Sequence, residues 1–64
     1  MKVNGKEIKL QSPCNLKVFL KENGHIQDRV AVELNEKIIP KAQFETTLLS
    51  DADKMEIVSF VGGG

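Results

Sequence analysis

Apolar and polar residues alternate with a period of two over much of this chain. Met1 and Val3 alternate with Lys2 and Asn4, the spacing of a strand with one buried face. Asn4-Gly5 follows, and both residues tolerate the positive φ that a tight hairpin turn requires. Ile8 and Leu10 then alternate with Glu7 and Lys9, which predicts a second strand. The segment 11–15 breaks it, because Pro13 has no N–H to give a ladder.

The period then changes. Leu16, Phe19 and Leu20 recur at i, i+3 and i+4, which puts them on one side of a helix. Asn15 is placed to cap its start and Asn23-Gly24 to end it, with Gly24 suited to the left-handed position beyond the last turn. Val18 lies off the stripe and is expected to flank it. A helix this short does not persist alone in water, so it must pack on the hairpin.

The second half returns to strands. Val30, Val32 and Leu34 alternate with Ala31, Glu33 and Asn35, the clearest strand in the sequence. Asn35-Glu36-Lys37 turns the chain into a very short strand at Ile38-Ile39, ended by Pro40. From Lys41 to Leu49 the pattern is irregular, with Phe44 and Leu48 suited to anchor a turn or 3₁₀ segment; the Leu48-Leu49 pair needs at least one buried face, which the pattern does not assign. Ser50-Asp51-Ala52-Asp53 reads as a loop whose acidic side chains bond the local backbone.

Lys54 to Val61 forms the last strand. Met55 and Ile57 share one face, followed in register by Ser59 and Val61, while Val58 and Phe60 face the other way. A two-layer domain needs only one apolar face on such a strand. The surplus marks Val58 and Phe60 as a partner-docking patch, unless a loop or a bulge covers them.

Strand, strand, helix, strand, short strand and strand make a mixed sheet with one helix on it. The expected fold is α+β, a ubiquitin-like β-grasp, with the last strand central and beside the first. The domain is expected to span residues 1–61. Residues 62–64 are then a separate C-terminal tail, because Gly62, Gly63 and Gly64 have no side chains to pack and lose the most entropy when ordered. Such a tail suits passage through a narrow channel; the same composition also fits an inert linker.

Composition narrows the function. At 64 residues the chain makes one domain, burying only about 60% of its unfolded surface, with little room for a substrate cavity. A carrier or binding module fits better than an independent enzyme. Nine basic and nine acidic side chains balance, so no basic excess points to nucleic acid. Cys14 is the single cysteine and leaves no internal disulfide. No apolar run is long enough to span or anchor in a membrane, and the expected compartment is the cytoplasm. His25 has no companion at metal-ligand spacing and reads as a loop residue. Cys14 has no nearby base and orienting group in the sequence and reads as a structural thiol. No metal site and no catalytic residue of its own is expected.

The whole chain also resembles a known family, the thiamine-biosynthesis sulfur carriers, which are small ubiquitin-like proteins. The resemblance rests on Asn4-Gly5, the Leu16/Phe19/Leu20 helix, the segment from Arg29 to Asn35, Ile38-Ile39-Pro40, Glu56-Ile57-Val58 and the run from Phe60 to Gly64. Cys14-Asn15 departs from the glycine, threonine or acidic residues common there, which bears on local capping and not on the terminus. The resemblance implies that a ubiquitin-activating-like adenylyltransferase uses ATP and magnesium to adenylate Gly64. Sulfur from a cysteine desulfurase relay then displaces AMP, and the resulting thiocarboxylate supplies thiazole synthase. The chain itself would bind no cofactor. Gly64 would carry the sulfur and Gly62 and Gly63 would give access to it. The small subunit of molybdopterin synthase, a ubiquitin-like modifier and an adaptor with an inert tail are the competing readings.

Overall fold

The computed structural model describes residues 1–10 and 13–60. Asn4 and Gly5 adopt φ of 50° and 83°, so the predicted tight turn forms and joins β1 (Lys2–Val3) to β2 (Lys6–Glu7). The second strand is shorter than its alternation suggested. The Ile8 N–H still reaches the Met1 carbonyl at 2.7 Å, but the Leu10 N–H bonds the Asp51 carboxylate instead of a strand. Ile8 and Leu10 nevertheless pack against the core.

A pair of residues that the sequence left as a break, Cys14–Asn15, forms β3. It pairs with β6 (Leu48–Leu49) as a separate two-stranded sheet. The helix α1 follows at Leu16–Glu22. Asn15 caps it, its Oδ1 accepting the Val18 N–H at 2.8 Å. Gly24 stands at φ +78° beyond the last turn. There the Gly24 N–H reaches the Lys21 carbonyl and the His25 N–H reaches the Leu20 carbonyl, the paired bonds of a Schellman cap. Leu16, Phe19 and Leu20 are buried and Val18 is 40% exposed, as the spacing requires.

β4 (Val30–Leu34), β5 (Lys37–Ile39) and β7 (Lys54–Ser59) complete the main sheet in the order β2-β1-β7-β4-β5. β1 and β7 run parallel in the middle of the sheet, and the helix carries the chain across them from β2 to β4. The turn between β4 and β5 is Asn35-Glu36, both at positive φ, so Lys37 already belongs to the strand. One helix on a mixed sheet with β7 at its centre is the β-grasp arrangement.

β7 is central because both neighbouring hairpin turns clamp it. The Asn4 side chain bonds the N–H and carbonyl of Ile57. On the other flank the Asn35 side-chain oxygen accepts the Lys54 N–H, and the Asn35 backbone N–H donates to the Lys54 carbonyl. Met55 and Ile57 point from this strand into the core, against Leu16, Leu20, Val3, Val30 and Val32. Phe44, beyond a 3₁₀ turn at Lys41–Gln43, closes one end of the core at 2% exposure.

The other expected anchor, Leu48, is 73% exposed, and Leu49 is buried in its place. Neighbours in a strand point to opposite faces, so only one leucine of the pair reaches the core. Among the described residues no helix is long and apolar enough to cross a membrane.

Candidate docking face beside the C-terminus

Strand alternation sends every second residue of β7 away from the helix, and the structure leaves these residues uncovered. Val58 is 57% exposed and Phe60 is 54% exposed. Among the described residues no loop folds over them, and no bulge shifts the register, since β7 runs opposite β4 without interruption from Met55–Leu34 to Ser59–Val30. The ladder continues one step further, with the Phe60 N–H donating to the Arg29 carbonyl at 2.7 Å. The backbone is therefore held in place as far as Phe60.

Val58 has Ala31 as its partner on β4, and Glu33 of β4 has Ile38 of β5. Ile38 is 69% exposed. With Glu56 these residues line a shallow depression of about 210 Å³ on the outer face of the sheet. Its floor is apolar and its two charged groups are both carboxylates. Beyond these two carboxylates its lining offers no hydroxyl, thiol or imidazole.

Ile38 is an exposed apolar residue of this face that the sequence reading missed. The signal was present: Ile38 and Ile39 are adjacent in one strand and cannot both face the core.

The expected reactive arm, Gly62, Gly63 and Gly64, lies outside the described residues, as does Val61. Four residues follow Phe60 in the sequence. A fully extended chain advances at most ~3.6 Å per residue, so Gly64 is never more than roughly 14 Å from Phe60. Any protein acting there must come close to this end of the sheet.

Cys14 sits elsewhere, in a second concavity with Ile8, Leu10, Phe19 and Glu22. Burial pushes its thiol up from the ordinary range, and the Glu22 carboxylate adds to the effect. A thiol held protonated is a poor nucleophile. His25, half-buried beyond α1, is not among the residues around it. On the surface near Arg29, the Lys41 ammonium donates to Asp28 at 2.6 Å. That hydrogen bond, followed by the ammonium's charge, holds the Asp28 carboxyl below its ordinary range.

The model of the ThiS family matches residues 1–64 of this chain. The sulfur carrier protein ThiS of Bacillus subtilis is 36% identical over 74 aligned positions that take in 100% of this chain and 98% of that protein. The crystal structure of the thiamine biosynthesis protein ThiS from Geobacter metallireducens superimposes with a TM-score of 0.82 at 32% identity, covering 98% of this chain and 96% of that one. The chain is also 39% identical over 62 residues to a thiazole synthase of Paramagnetospirillum magneticum, of which it covers 19%.

Proposed function

This chain belongs to the ThiS family, the sulfur carriers of thiamine biosynthesis, and from that premise we propose that it carries sulfur as a thiocarboxylate on Gly64. A carboxylate is a poor electrophile because its charge is spread over both oxygens. Activation must come first. The Gly64 carboxylate attacks the α-phosphorus of ATP, which an activating enzyme of the ubiquitin-activating type holds with magnesium, and pyrophosphate leaves. A persulfide from a cysteine desulfurase relay then attacks the Gly64 carbonyl carbon, AMP leaves, and a thiol reduces the resulting acyl disulfide, which releases the thiocarboxylate and forms a disulfide with the persulfide's inner sulfur.

In this scheme the chain supplies the reacting group and the surface that aligns it. Each enzyme supplies its own catalytic residues. Val58 and Phe60 dock the body, which makes the reaction at the terminus effectively intramolecular. Gly62 and Gly63 carry no side chains to obstruct a narrow channel.

The single observation that carries the reading is the family match over residues 1–64, which reaches the terminal glycines. The likeness to a segment of thiazole synthases supports such an enzyme as the acceptor of the sulfur, ahead of a molybdopterin pathway or protein conjugation.

Intact-mass spectrometry tests it directly. After incubation with the activating enzyme, ATP and a sulfur source, the chain should gain the mass of one oxygen-to-sulfur exchange, and deletion of Gly64 should abolish the gain. An unchanged mass with an enzyme proven active on another carrier overturns the reading.

A further inference from the structure

The chain contains two Asn-Gly pairs, Asn4-Gly5 and Asn23-Gly24. Asparagine before glycine is the pair most prone to deamidation, because no glycine side chain keeps the following nitrogen from the carboxamide carbon. Asn4 and Gly5 are both exposed, and a Cβ on Gly5 would meet nothing within 4 Å. Water therefore reaches this turn freely, and burial does not protect it.

The carboxamide of Asn4 is held instead by the central strand. Its Oδ1 accepts the Ile57 N–H at 2.7 Å and its Nδ2 donates to the Ile57 carbonyl at 3.1 Å. Attack on Cγ makes that carbon tetrahedral and expels Nδ2, so both bonds must be given up before the ring can close. Asn23 is held more weakly, its Nδ2 donating to the Phe19 carbonyl at the end of a short helix.

We propose that Asn4 is a modification site of this chain, deamidating when its side chain leaves Ile57 and then unable to restore the contact. The Gly5 nitrogen gives its proton to solvent and attacks Cγ of Asn4. A C–N bond forms, and the amide nitrogen takes up a proton and leaves as ammonia. Water opens the resulting succinimide at either carbonyl, leaving aspartate or isoaspartate. Nothing is oxidised or reduced.

Neither product can replace the parent. Aspartate keeps an oxygen for the Ile57 N–H, but it has no hydrogen for the Ile57 carbonyl and turns negative charge toward it. Isoaspartate adds a carbon to the main chain inside a two-residue turn, whose length sets the register Lys2–Glu7 and Val3–Lys6. A transient opening of the β1–β7 contact is thereby made permanent. This chemistry is independent of the terminus and of the function proposed above.

The test follows deamidation by peptide mapping and mass spectrometry at mildly alkaline pH. Wild-type chain is compared folded in buffer and unfolded in urea. Asn4 should convert at least about tenfold more slowly in the folded chain, since reaction waits for a sparsely populated open form. Asn23 should be slowed by a smaller factor. Asn4→Asp, which installs one product directly, should melt below wild type.

Equal rates at Asn4 in buffer and in urea overturn the proposal, because the contact with Ile57 would then protect nothing. An Asn4 that stays intact in urea while Asn23 converts also overturns it. So does an Asn4→Asp chain that melts no lower than wild type. The rate comparison uses wild-type chain alone, so failure of the variant to fold leaves it decisive.

Discussion

The side chain of Asn4 forms two hydrogen bonds with the backbone of Ile57, accepting its N–H at 2.7 Å and donating to its carbonyl at 3.1 Å. The Asn4 N–H itself donates to the Met55 carbonyl. β1 ends at Val3, while β7 runs on to Ser59. The carboxamide therefore supplies one more rung to the parallel ladder after the first strand has turned away. Without it, a donor and an acceptor of the central strand would lose their partners, which costs more than an absent bond at the surface.

Asn4→Ala should therefore be costly for so small a residue. It removes two bonds, each contributing about 0.5–1.5 kcal/mol. It also leaves alanine at a φ of 50°, a left-handed conformation that costs roughly 1–2 kcal/mol. Asn4→Gly removes the same bonds without that strain and should lose less. Urea unfolding of the two variants separates the contributions. Equal losses would show that the backbone strain is absent, and no loss in either would remove the proposed rung.

The two faces of β7 should respond oppositely to truncation. Met55 is fully buried, and Met55→Ala in a packed core costs about 2–5 kcal/mol, enough to unfold much of a small domain. Val58→Ala and Phe60→Ala remove exposed side chains and should keep the melting temperature near wild type while weakening the activating enzyme's binding. Calorimetric melting and titration on the same samples check both halves. Unchanged binding by Phe60→Ala would remove it from the interface.

The main sheet was legible in the sequence because each strand buries one face, and period-two alternation records that face directly. The helix was legible through Leu16, Phe19 and Leu20, with Asn15 and Gly24 marking its ends. β3 and β6 were not, because a two-residue pairing has no period to read. Leu48 was misplaced for a related reason, since a pair of adjacent leucines does not say which one reaches the core. Val58 and Phe60 stood out as apolar residues on the wrong face. The opposition of Glu33 and Glu56 on that face did not, because it depends on register between strands 23 positions apart, which a single sequence does not specify.

Acid should expose the role of Asp51. Its carboxyl is held below the ordinary range first by the Leu10 N–H and then by the nearby amino terminus, which it approaches at 3.6 Å. A carboxyl depressed in the folded state contributes stability that is present above its unfolded value of about 3.9 and is lost as pH falls through the folded one. Asp51→Asn should thus melt below wild type at neutral pH, and the two should converge at strongly acidic pH. A gap of constant size across the titration would show that charge at this position is irrelevant.

Gly24 tests the helix end. A Cβ there would meet open space, but φ is +78°, so any penalty is conformational and not steric. Gly24→Ala should cost about 1 kcal/mol, and Gly24→Asn less, because asparagine visits that region more readily. Chemical denaturation resolves a difference of this size. Equal stability of all three chains would mean that the cap relaxes to another geometry.

Cys14 should be slow to react. The thiolate is the reactive form, and burial, with Glu22 second, keeps this thiol protonated. Iodoacetamide at neutral pH should alkylate the native chain more slowly than free cysteine, and unfolding in urea should remove the difference. Glu22→Gln should accelerate the native reaction slightly, since it removes only the smaller cause. Cys14→Ser should still gain sulfur at Gly64 when the activating system is supplied. A native thiol that outpaces free cysteine, together with loss of sulfur uptake by Cys14→Ser, would give the chain a chemical group of its own and end its description as a carrier whose chemistry resides wholly at the terminus.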